Sequence, residues 1–309
     1  MTVIAACQLA LAVGELDRNR AAAAAAAGHA VAMGAELIVL PELCDTGYVF
    51  SGAGEARRAA APVEGNPTLR QWQDLAARYK AVIAGGFCEL AGDGRLYNSA
   101  ALVDGSGIVA SYRKAHLWDA EKLVFTPGDE PPPVVALPFG RVALMICYDL
   151  EFPEWVRLAA LSGADLVAAP VNWPAAAVPE GERPSEVIKV QAGAAVNGVF
   201  IAVADRCQVE RGVSWVGGSF IAGPDGYPLA GPVTADRECV LTADCDLASA
   251  RDKRISTHND VLADRRPGLY GPVSAGPGVA GPGAASPEVA GAGVAGPGQA
   301  PGGGRMPGR

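Results

Sequence analysis

The sequence predicts a mixed α/β protein in which helices cover the faces of β-sheets. Short apolar runs typical of buried strands alternate with longer segments that have helical spacing. Turn residues separate several pairs of runs and indicate hairpins inserted into this alternation. The chain has 309 residues, 50% of them apolar, so it is long enough to form a complete hydrophobic core.

The first half of the chain contains clear signals for strands, helices and one hairpin. Alanine is the strongest helix former, and Asp17 precedes an alanine-rich segment as its expected N-cap, so a helix is predicted to about Met33. A second helix is predicted from Asn66 to Tyr79. Strands are predicted at residues 3–8, 36–42, 81–89, 97–103 and 107–114, the last two joined by an Asp-Gly-Ser-Gly turn.

The second half repeats this order of elements. An apolar strand at residues 142–146 precedes a helix that starts at Pro153 and Glu154, because proline and an acidic residue both suit a first helical turn. Further elements are predicted as an apolar segment from residue 165, a helix at 184–197, a strand at 199–204, a hairpin at 219–230 and a strand at 238–245.

Composition changes near residue 271, which divides the chain into two predicted regions. Gly and Pro supply 20 of the last 39 residues, without the strict three-residue period of collagen. Few side chains there can build a core, so residues 271–309 are expected to form a disordered, low-complexity tail. Residues 1–270 are the predicted folded domain.

Charge, hydropathy and cysteine content limit the possible partners and locations. The net charge is −8 with no basic cluster, which argues against nucleic acid, and no apolar run reaches the length of a membrane span. The N-terminus is predicted to be a strand and not a signal peptide. Seven scattered cysteines show no metal-binding spacing, so we expect a cytoplasmic protein without structural disulfides or a metal site. An organic cofactor is not expected either.

Cys147 occupies the predicted turn between a strand and a helix. Such a turn can present sulfur to a substrate among backbone N–H groups, as in the nucleophile elbow of hydrolases. The alternative is an inert packing cysteine, because cysteine is among the most buried residue types.

Two further reactive side chains follow predicted strands in the same way. Glu42 ends the strand at 36–42, and Lys114 ends the strand at 107–114. Active sites in α/β proteins form beyond the carboxyl ends of strands, so these residues are candidates to meet Cys147. A thiol nucleophile, a carboxylate base and an ammonium that stabilises an oxyanion suit acyl transfer. A simple Glu–Lys ion pair beside a packing cysteine remains the alternative.

Three segments resemble the signatures of the nitrilase superfamily, the carbon–nitrogen hydrolases. They read Pro-Glu-Leu-Cys-Asp-Thr-Gly-Tyr at 41–48, Tyr-Arg-Lys-Ala-His-Leu at 112–117 and Cys-Tyr-Asp-Leu-Glu-Phe-Pro-Glu at 147–154. The resemblance extends from Thr2 to about Tyr270. It implies a four-layer α-β-β-α sandwich with mixed sheets, assembled as a homodimer or a higher homo-oligomer.

The resemblance also implies roles for individual residues. Glu42 is expected to be the general base, Lys114 the oxyanion stabiliser and Cys147 the nucleophile. Glu121 matches a second glutamate that many amidase members use to position the substrate amide and the attacking water, with Asp119 as its nearby competitor. The residues expected to bind substrate are Tyr48, Trp118, Tyr148, Glu151, Asn172 and Trp173.

The residues around the nucleophile indicate the type of substrate. Tyr148-Asp149 follows Cys147, as in amidase-type branches, where nitrilases usually have Trp-Glu. Because Glu151 would repel a bound carboxylate, a small neutral or amine-bearing amide is expected as the substrate. Hydrolysis of an N-carbamoyl compound or a nitrile is the alternative, and a non-catalytic binding protein is a third possibility. Asp205-Arg206 replaces the family's common Asn-Arg, which is expected to affect the scaffold or the dimer.

Overall fold

A computed structural model describes residues 1–274 of the chain. The main unit spans Met1–Asp264, and a separate unit begins at Arg265 with short turns of 3-10 helix at Pro267–Leu269 and Gly271–Ser274. The predicted boundary at residue 270 therefore stays a prediction, and the predicted disorder of the tail lies, from residue 275, outside the described residues.

Strands and helices alternate along the main unit as the sequence indicates. The strands are β1 (Thr2–Gln8), β2 (Leu37–Val39), β3 (Val82–Leu90), β4 (Leu96–Asp104), β5 (Gly107–Arg113), β6 (Val134–Leu137), β7 (Gly140–Leu144), β8 (Leu166–Pro170), β9 (Phe200–Ala204), β10 (Val209–Glu210), β11 (Val213–Ser214), β12 (Phe220–Ala222), β13 (Pro228–Ala230) and β14 (Cys239–Cys245). The helices are α1 (Leu16–Ala32), α2 (Ala53–Ala59), α3 (Pro67–Tyr79), α4 (Pro153–Leu161) and α5 (Ser185–Asn197).

Two six-stranded mixed sheets form the centre of the fold. The first sheet has the order β14-β1-β2-β3-β4-β5, with β1, β2 and β3 parallel. The second has the order β13-β12-β9-β8-β7-β6, with β7, β8 and β9 parallel. Helices α1 and α3 contact the first sheet and α5 contacts the second, with α4 against α5, while the sheets contact each other through β1, β2, β3, β8 and β9. This is the predicted α-β-β-α sandwich with mixed sheets.

Strand β1 has an apolar interior, Val3 to Cys7, with burial on both faces. Side chains alternate between the two faces of a strand. Ile4 and Ala6 join the core that includes the second sheet, whereas Ala5 and Cys7 join the core formed with α1 and α3. Both faces are covered, so the interior of β1 lacks the alternating polar positions of a half-exposed strand, and its polar residues, Thr2 and Gln8, lie at the two ends.

The predicted element boundaries differ from the structure in a few places. Asp17 is not the N-cap of α1: the helix begins at Leu16, and Asp17 pairs with Arg20 at 2.8 Å. The buried Asn19 instead holds the preceding loop, exchanging hydrogen bonds with the backbone of Ala12. The strand predicted at 36–42 is only Leu37–Val39, the strand predicted at 142–146 ends at Leu144, and β6 is an additional strand.

Candidate active site

Glu42 lies three residues beyond β2, where the chain passes against β3. Gly86 of β3 donates its N–H to Pro41 O at 3.0 Å, which fixes the backbone beside Glu42. A Cβ atom at Gly86 would lie 2.6 Å from Glu42 Cα and 2.5 Å from Leu43 N. Only glycine allows this close approach, so Gly86 determines the depth at which the Glu42 carboxylate is buried.

The Glu42 carboxylate is fully buried and unevenly hydrogen-bonded. Its Oε1 accepts from Asn98 Nδ2 and from Lys114 Nζ, both at 2.7 Å. Within residues 1–274, Oε2 has no hydrogen-bond partner. Burial raises the pKa of Glu42 from 4.5 to about 7, opposed by Lys114 and reinforced by the nearby Glu121. A carboxylate with this pKa can take up and release a proton near neutral pH.

Lys114 directly follows β5, and its buried ammonium joins two carboxylates. Nζ lies 2.7 Å from Glu42 Oε1 and 2.8 Å from Glu121 Oε1. Burial opposes the charge of Lys114, but Glu121 and Glu42 more than offset it and hold its pKa well above the usual value. Lys114 therefore stays protonated and supplies a fixed positive charge.

Glu121 lies in a turn of 3-10 helix, Asp119–Leu123, and completes a cluster in which two carboxylates surround the ammonium of Lys114. Its Oε1 accepts from Tyr48 Oη at 2.6 Å as well as from Lys114, and its Oε2 accepts from Trp118 N at 3.0 Å. Two carboxylates share one ammonium, so the cluster carries a net charge of −1 when all three groups are ionised. Burial, and then the charges of Glu121, Glu42 and Cys147, raise the pKa of Tyr48, so its hydroxyl remains a donor.

Cys147 follows β7 after two further residues and begins a turn of 3-10 helix, Cys147–Glu151. Its φ of +49° lies in the left-handed region, which residues other than glycine rarely adopt. A nucleophile elbow holds its residue in such a strained conformation at a sharp turn between a strand and a helix. The local backbone is therefore that expected for a nucleophilic position.

The Cys147 thiol is 5% exposed and donates to Asn172 O at 3.6 Å. Burial and the charge of Glu42 raise the pKa of the thiol well above its ordinary value, while Lys114 lowers it. The resting sulfur is therefore protonated. Asn172 also donates its Nδ2 to Glu42 O at 2.9 Å, which links the thiol to the segment that carries the base.

Asp149 holds the turn that carries Cys147. This buried carboxylate accepts from Ile146 N at 3.0 Å and from Tyr112 Oη at 2.8 Å. It also accepts from His116 N at 3.1 Å and contacts His116 Nδ1 at 2.7 Å. Both oxygens are thus used to join the nucleophile turn to the loop that follows Lys114.

A cavity of about 290 Å³ opens beside this cluster. Its lining is aromatic and aliphatic apart from the carboxylates of Asp119 and Glu121 and the hydroxyl of Tyr48. The lining residues are Tyr48, Val49, Phe50, Trp118, Asp119, Ala120, Glu121, Val124, Phe125, Pro174, Val213 and Trp215. The cavity reaches the Glu–Lys–Glu cluster through Glu121, to which Tyr48 in its wall donates at 2.6 Å. Glu42, Lys114 and Cys147 lie behind this wall and are not among its lining residues.

Five of the six residues expected to bind substrate fall into three groups. Tyr48 and Trp118 line the cavity. Tyr148 packs edge-on against Trp118 at 4.9 Å and lines a neighbouring cavity with His116. Asn172 and Trp173 are buried; Asn172 contacts the thiol, and Trp173 N donates to Asp205.

Glu151 forms an ion pair with Lys189 of α5 at 2.6 Å and does not line the 290 Å³ cavity. Lys189 offsets the charge of Glu151, so Glu151 gives no physical reason for the repulsion of a carboxylate bound in that cavity.

Several residues at the site escaped the sequence reasoning. Asn98 of β4 binds the base, and Phe50, Phe125 and Trp215 supply much of the cavity wall. Asn98 and Ser99 interrupt the apolar run of β4, and this polar pair was the available signal for Asn98. The aromatic residues carried no signal, because aromatic side chains usually belong to the core.

No group of three or more His, Cys, Asp or Glu side chains among the described residues is placed to hold a metal ion. In residues 1–274, no helix is both long and apolar enough to cross a membrane.

Comparison with known proteins identifies the family. Residues 3–255 match the family model of the carbon-nitrogen hydrolases. The chain is 38% identical to a nitrilase of Pyrococcus abyssi over 256 residues, covering 83% of this chain and 94% of the relative. The chain therefore belongs to the carbon-nitrogen hydrolase family, as the three motifs predict.

Further relatives and solved structures refine the class. An N-carbamoylputrescine amidase of Arabidopsis thaliana is 34% identical over 83% of this chain and 90% of its own length. An amidase from Nesterenkonia sp. AN1, solved as a glutamate-to-glutamine mutant with acrylamide added to its active-site cysteine, superposes with a TM-score of 0.74. It is 29% identical and covers 87% of this chain and 98% of its own. The protein is a hydrolase that acts on carbon–nitrogen bonds.

Proposed function

We propose that the protein is a cysteine-dependent amidohydrolase that converts a small neutral or amine-bearing carboxamide to a carboxylic acid and ammonia. The observation that carries this proposal is the buried cluster of Glu42, Lys114 and Glu121 beside a Cys147 held in a left-handed turn. The cluster contains a base with a near-neutral pKa, a permanent cation and a second acid, next to a nucleophile.

Acylation follows from the protonation states of these groups. Cys147 rests as a thiol and Glu42 is ionised above about pH 7, so Glu42 takes the thiol proton as sulfur attacks the amide carbon. Lys114 and the N–H of Tyr148 stabilise the oxyanion of the tetrahedral intermediate. Glu42 then donates its proton to the departing nitrogen, ammonia leaves, and an acyl-thioester remains on Cys147.

Deacylation uses the same groups in reverse roles. Glu42 removes a proton from water, and the resulting hydroxide attacks the thioester carbon. Glu121, fixed by Tyr48 and Lys114, positions the amide and then the water. Collapse of the second intermediate releases the carboxylic acid, and Glu42 returns its proton to the Cys147 sulfur.

The cavity supports an uncharged or cationic substrate independently of Glu151. Its lining supplies apolar walls from Phe50, Phe125 and Trp215 and negative charge from Asp119 and Glu121. Lys and Arg are missing from the cavity lining in the part of the chain that is described, so a carboxylate group on the substrate lacks an ion-pair partner there. An apolar acyl group gains from burial against the aromatic walls.

Two relatives favour a second candidate function with the same machinery. The Arabidopsis thaliana relative is an N-carbamoylputrescine amidase, and the Pyrococcus abyssi relative is a nitrilase. Hydrolysis of a carbamoyl group releases carbon dioxide with ammonia, and nitrile hydrolysis consumes a second water. The products therefore distinguish these reactions from the hydrolysis of a carboxamide.

A substrate panel with product analysis tests the proposal. Propionamide, a phenyl-substituted amide, an ω-amino amide, an ω-amido acid, N-carbamoyl compounds and nitriles are compared by kcat/KM, with ammonia and carbon dioxide measured. We expect turnover of the neutral and amine-bearing amides, at rates at least tenfold above the ω-amido acid. A clear preference for N-carbamoyl compounds or nitriles supports the second candidate instead.

We also propose a cytoplasmic homodimer. Leu158 and Leu161 of α4 and Ile188 and Val196 of α5 are large apolar side chains that remain 41–50% exposed on these outer helices. A second copy would bury them, so light scattering should give about twice the monomer mass of 31.4 kDa. A monomer at micromolar concentration would contradict this.

A further inference from the structure

A second buried ion pair lies behind the wall of the 290 Å³ cavity. Arg206, just beyond β9, and Glu210, in β10, are both almost completely buried. Their side chains meet in a bidentate pair, with Nη1 3.0 Å from Oε2 and Nη2 2.9 Å from Oε1. Arg206 also donates to Leu11 O. The bidentate pair with Arg206 fixes the orientation of the Glu210 carboxylate.

Glu210 binds the backbone of the loop that carries Tyr48. Its Oε2 accepts from Tyr48 N at 2.9 Å and from Val49 N at 2.7 Å. The loop comes so close that a Cβ at Gly47 would lie 2.6 Å from Glu210 Oε1, and Gly47 has a φ of +77°. The side chain of Glu210 thus sets the backbone position from which Tyr48 reaches Glu121 Oε1 at 2.6 Å.

Arg206 supports the same wall through Trp215. Its guanidinium lies 4.5 Å from the centre of the Trp215 ring, and Trp215 packs edge-on against Tyr48 at 5.4 Å. Trp215 lines the cavity. One ion pair therefore fixes both an aromatic wall and the tyrosine that donates to the second glutamate. Asp205-Arg206 is expected to affect the scaffold or the dimer, and these contacts extend that expectation to the wall of the cavity.

We infer that Arg206 and Glu210 are positioning residues that determine how the acyl group of the substrate fits the cavity, because they hold Tyr48 and Trp215 in place. They touch the wall and not the reacting atoms, so their loss should affect large acyl groups most. This inference rests on the proposed amidohydrolase function. Tyr48 should transmit the effect, because it is the contact shared by Glu210, Trp215 and Glu121.

The test compares Glu210→Gln, Tyr48→Phe and the double variant, using propionamide and a phenyl-substituted amide as substrates. We expect Glu210→Gln to lower kcat/KM for the phenyl amide at least tenfold more than for propionamide. The double variant should lose no more activity than the more damaged single variant, because each change removes the same contact, that of Tyr48 Oη with Glu121. Equal losses on both amides, or losses that multiply in the double variant, overturn the inference.

Asp165→Asn is the matched control. Asp165 is a buried carboxylate that likewise binds an arginine, Arg251, and a backbone N–H, that of Arg141, at 3.0 and 2.9 Å. We expect Asp165→Asn to lower thermal stability without changing the ratio of kcat/KM between the two amides. The same change of ratio in this control contradicts the inference. If Glu210→Gln does not fold, Arg206→Lys, which keeps one charge against Glu210, replaces it with the same expected outcomes.

A second readout keeps the inference separate from the proposed function. The rate at which iodoacetamide and its N-benzyl derivative alkylate Cys147 is measured by mass spectrometry and needs no turnover. We expect Glu210→Gln to change the ratio of the two rates at least threefold, and Asp165→Asn to leave it unchanged. If the wild type hydrolyses no amide yet the ratio changes, the proposed function fails and the positioning role stands. An unchanged ratio overturns the positioning role.

Discussion

Two buried carboxylates, Glu42 and Asp149, flank Cys147, and they are hydrogen-bonded in opposite ways. Asp149 uses both oxygens and contacts four donors on three segments. Glu42 receives both of its hydrogen bonds on Oε1, and among the described residues Oε2 has no partner. A buried acid with all its bonds made holds structure, whereas one with a free oxygen retains capacity for a proton.

This difference also explains the electrostatics of the site. Lys114 neutralises only one of the two acids that it contacts, so burial and Glu121 raise the pKa of Glu42 to about 7. The reactivity of Glu42 therefore results from incomplete neutralisation of its charge by Lys114. We expect substitutions at Glu42 to affect mainly the rate, and substitutions at Asp149 to affect mainly the fold.

Glu42→Gln should have the largest effect on the rate. Without a base, thiol deprotonation and water activation both fail, so kcat should fall by about 10³-fold or more. Loss of activity should come with retained secondary structure by circular dichroism. Glu89→Gln is the control, because Glu89 is a buried acid that pairs with Arg113, next to Lys114, and it should keep activity within about threefold.

The same variant should be at least as stable as the wild type above pH 7. The pKa of Glu42 rises from 4.5 to about 7 on folding, so ionising it costs stability as pH increases across this window. Glutamine avoids that cost, which is at most about 3 kcal/mol. Thermal melts at pH 5 and pH 8 measure this, and a variant less stable than the wild type at pH 8 would show that the charge of Glu42 is fully compensated.

Asp149→Asn should destabilise the fold by about 3 kcal/mol, because the amide cannot accept from all four donors and leaves buried groups unpaired. Urea unfolding measures this free energy. Glu154→Gln, at an exposed acid in the first turn of α4, is the control and should cost less than about 1 kcal/mol. A fully stable Asp149→Asn protein would remove the contrast with Glu42.

Asn98→Leu should have the smallest effect, a change in pH dependence. Asn98 stabilises the ionised form of Glu42, so its loss raises the pKa of Glu42. The acid limb of kcat/KM, expected near pH 7 in the wild type, should move upward by about one pH unit. Ser99→Ala is the control, since Ser99 donates to Glu89 instead. A limb that does not move would mean that Glu42 does not control it.

Most of the fold was predictable from local sequence. Helix α3 begins where Asn66 and Pro67 indicate, because Asn66 Oδ1 caps Thr68 N at 2.9 Å. The start of α1 was not predictable in this way. There the loop is held by Asn19 from inside the helix, a contact that depends on tertiary packing.

The residues of the candidate site differ in the same way, because some follow a local pattern and others depend on tertiary contacts. Glu42, Lys114 and Cys147 were identifiable because each follows a strand, and their contacts come from sheet topology. Glu210 was not identifiable, because its contact with Tyr48 joins residues 162 positions apart with no local pattern. Glu151 was misjudged for the same reason, since Lys189, its partner, lies 38 residues further along the chain.

In the proposed reaction, Cys147 carries the acyl group. Wild-type protein is mixed with a slowly hydrolysed amide, quenched in acid within seconds, and examined by mass spectrometry of its peptides, with Cys147→Ala in parallel. We predict an acyl adduct on the Cys147 peptide of the wild type, and no ammonia release by the variant. Ammonia release that persists in Cys147→Ala, or an adduct on another of the seven cysteines, would contradict it.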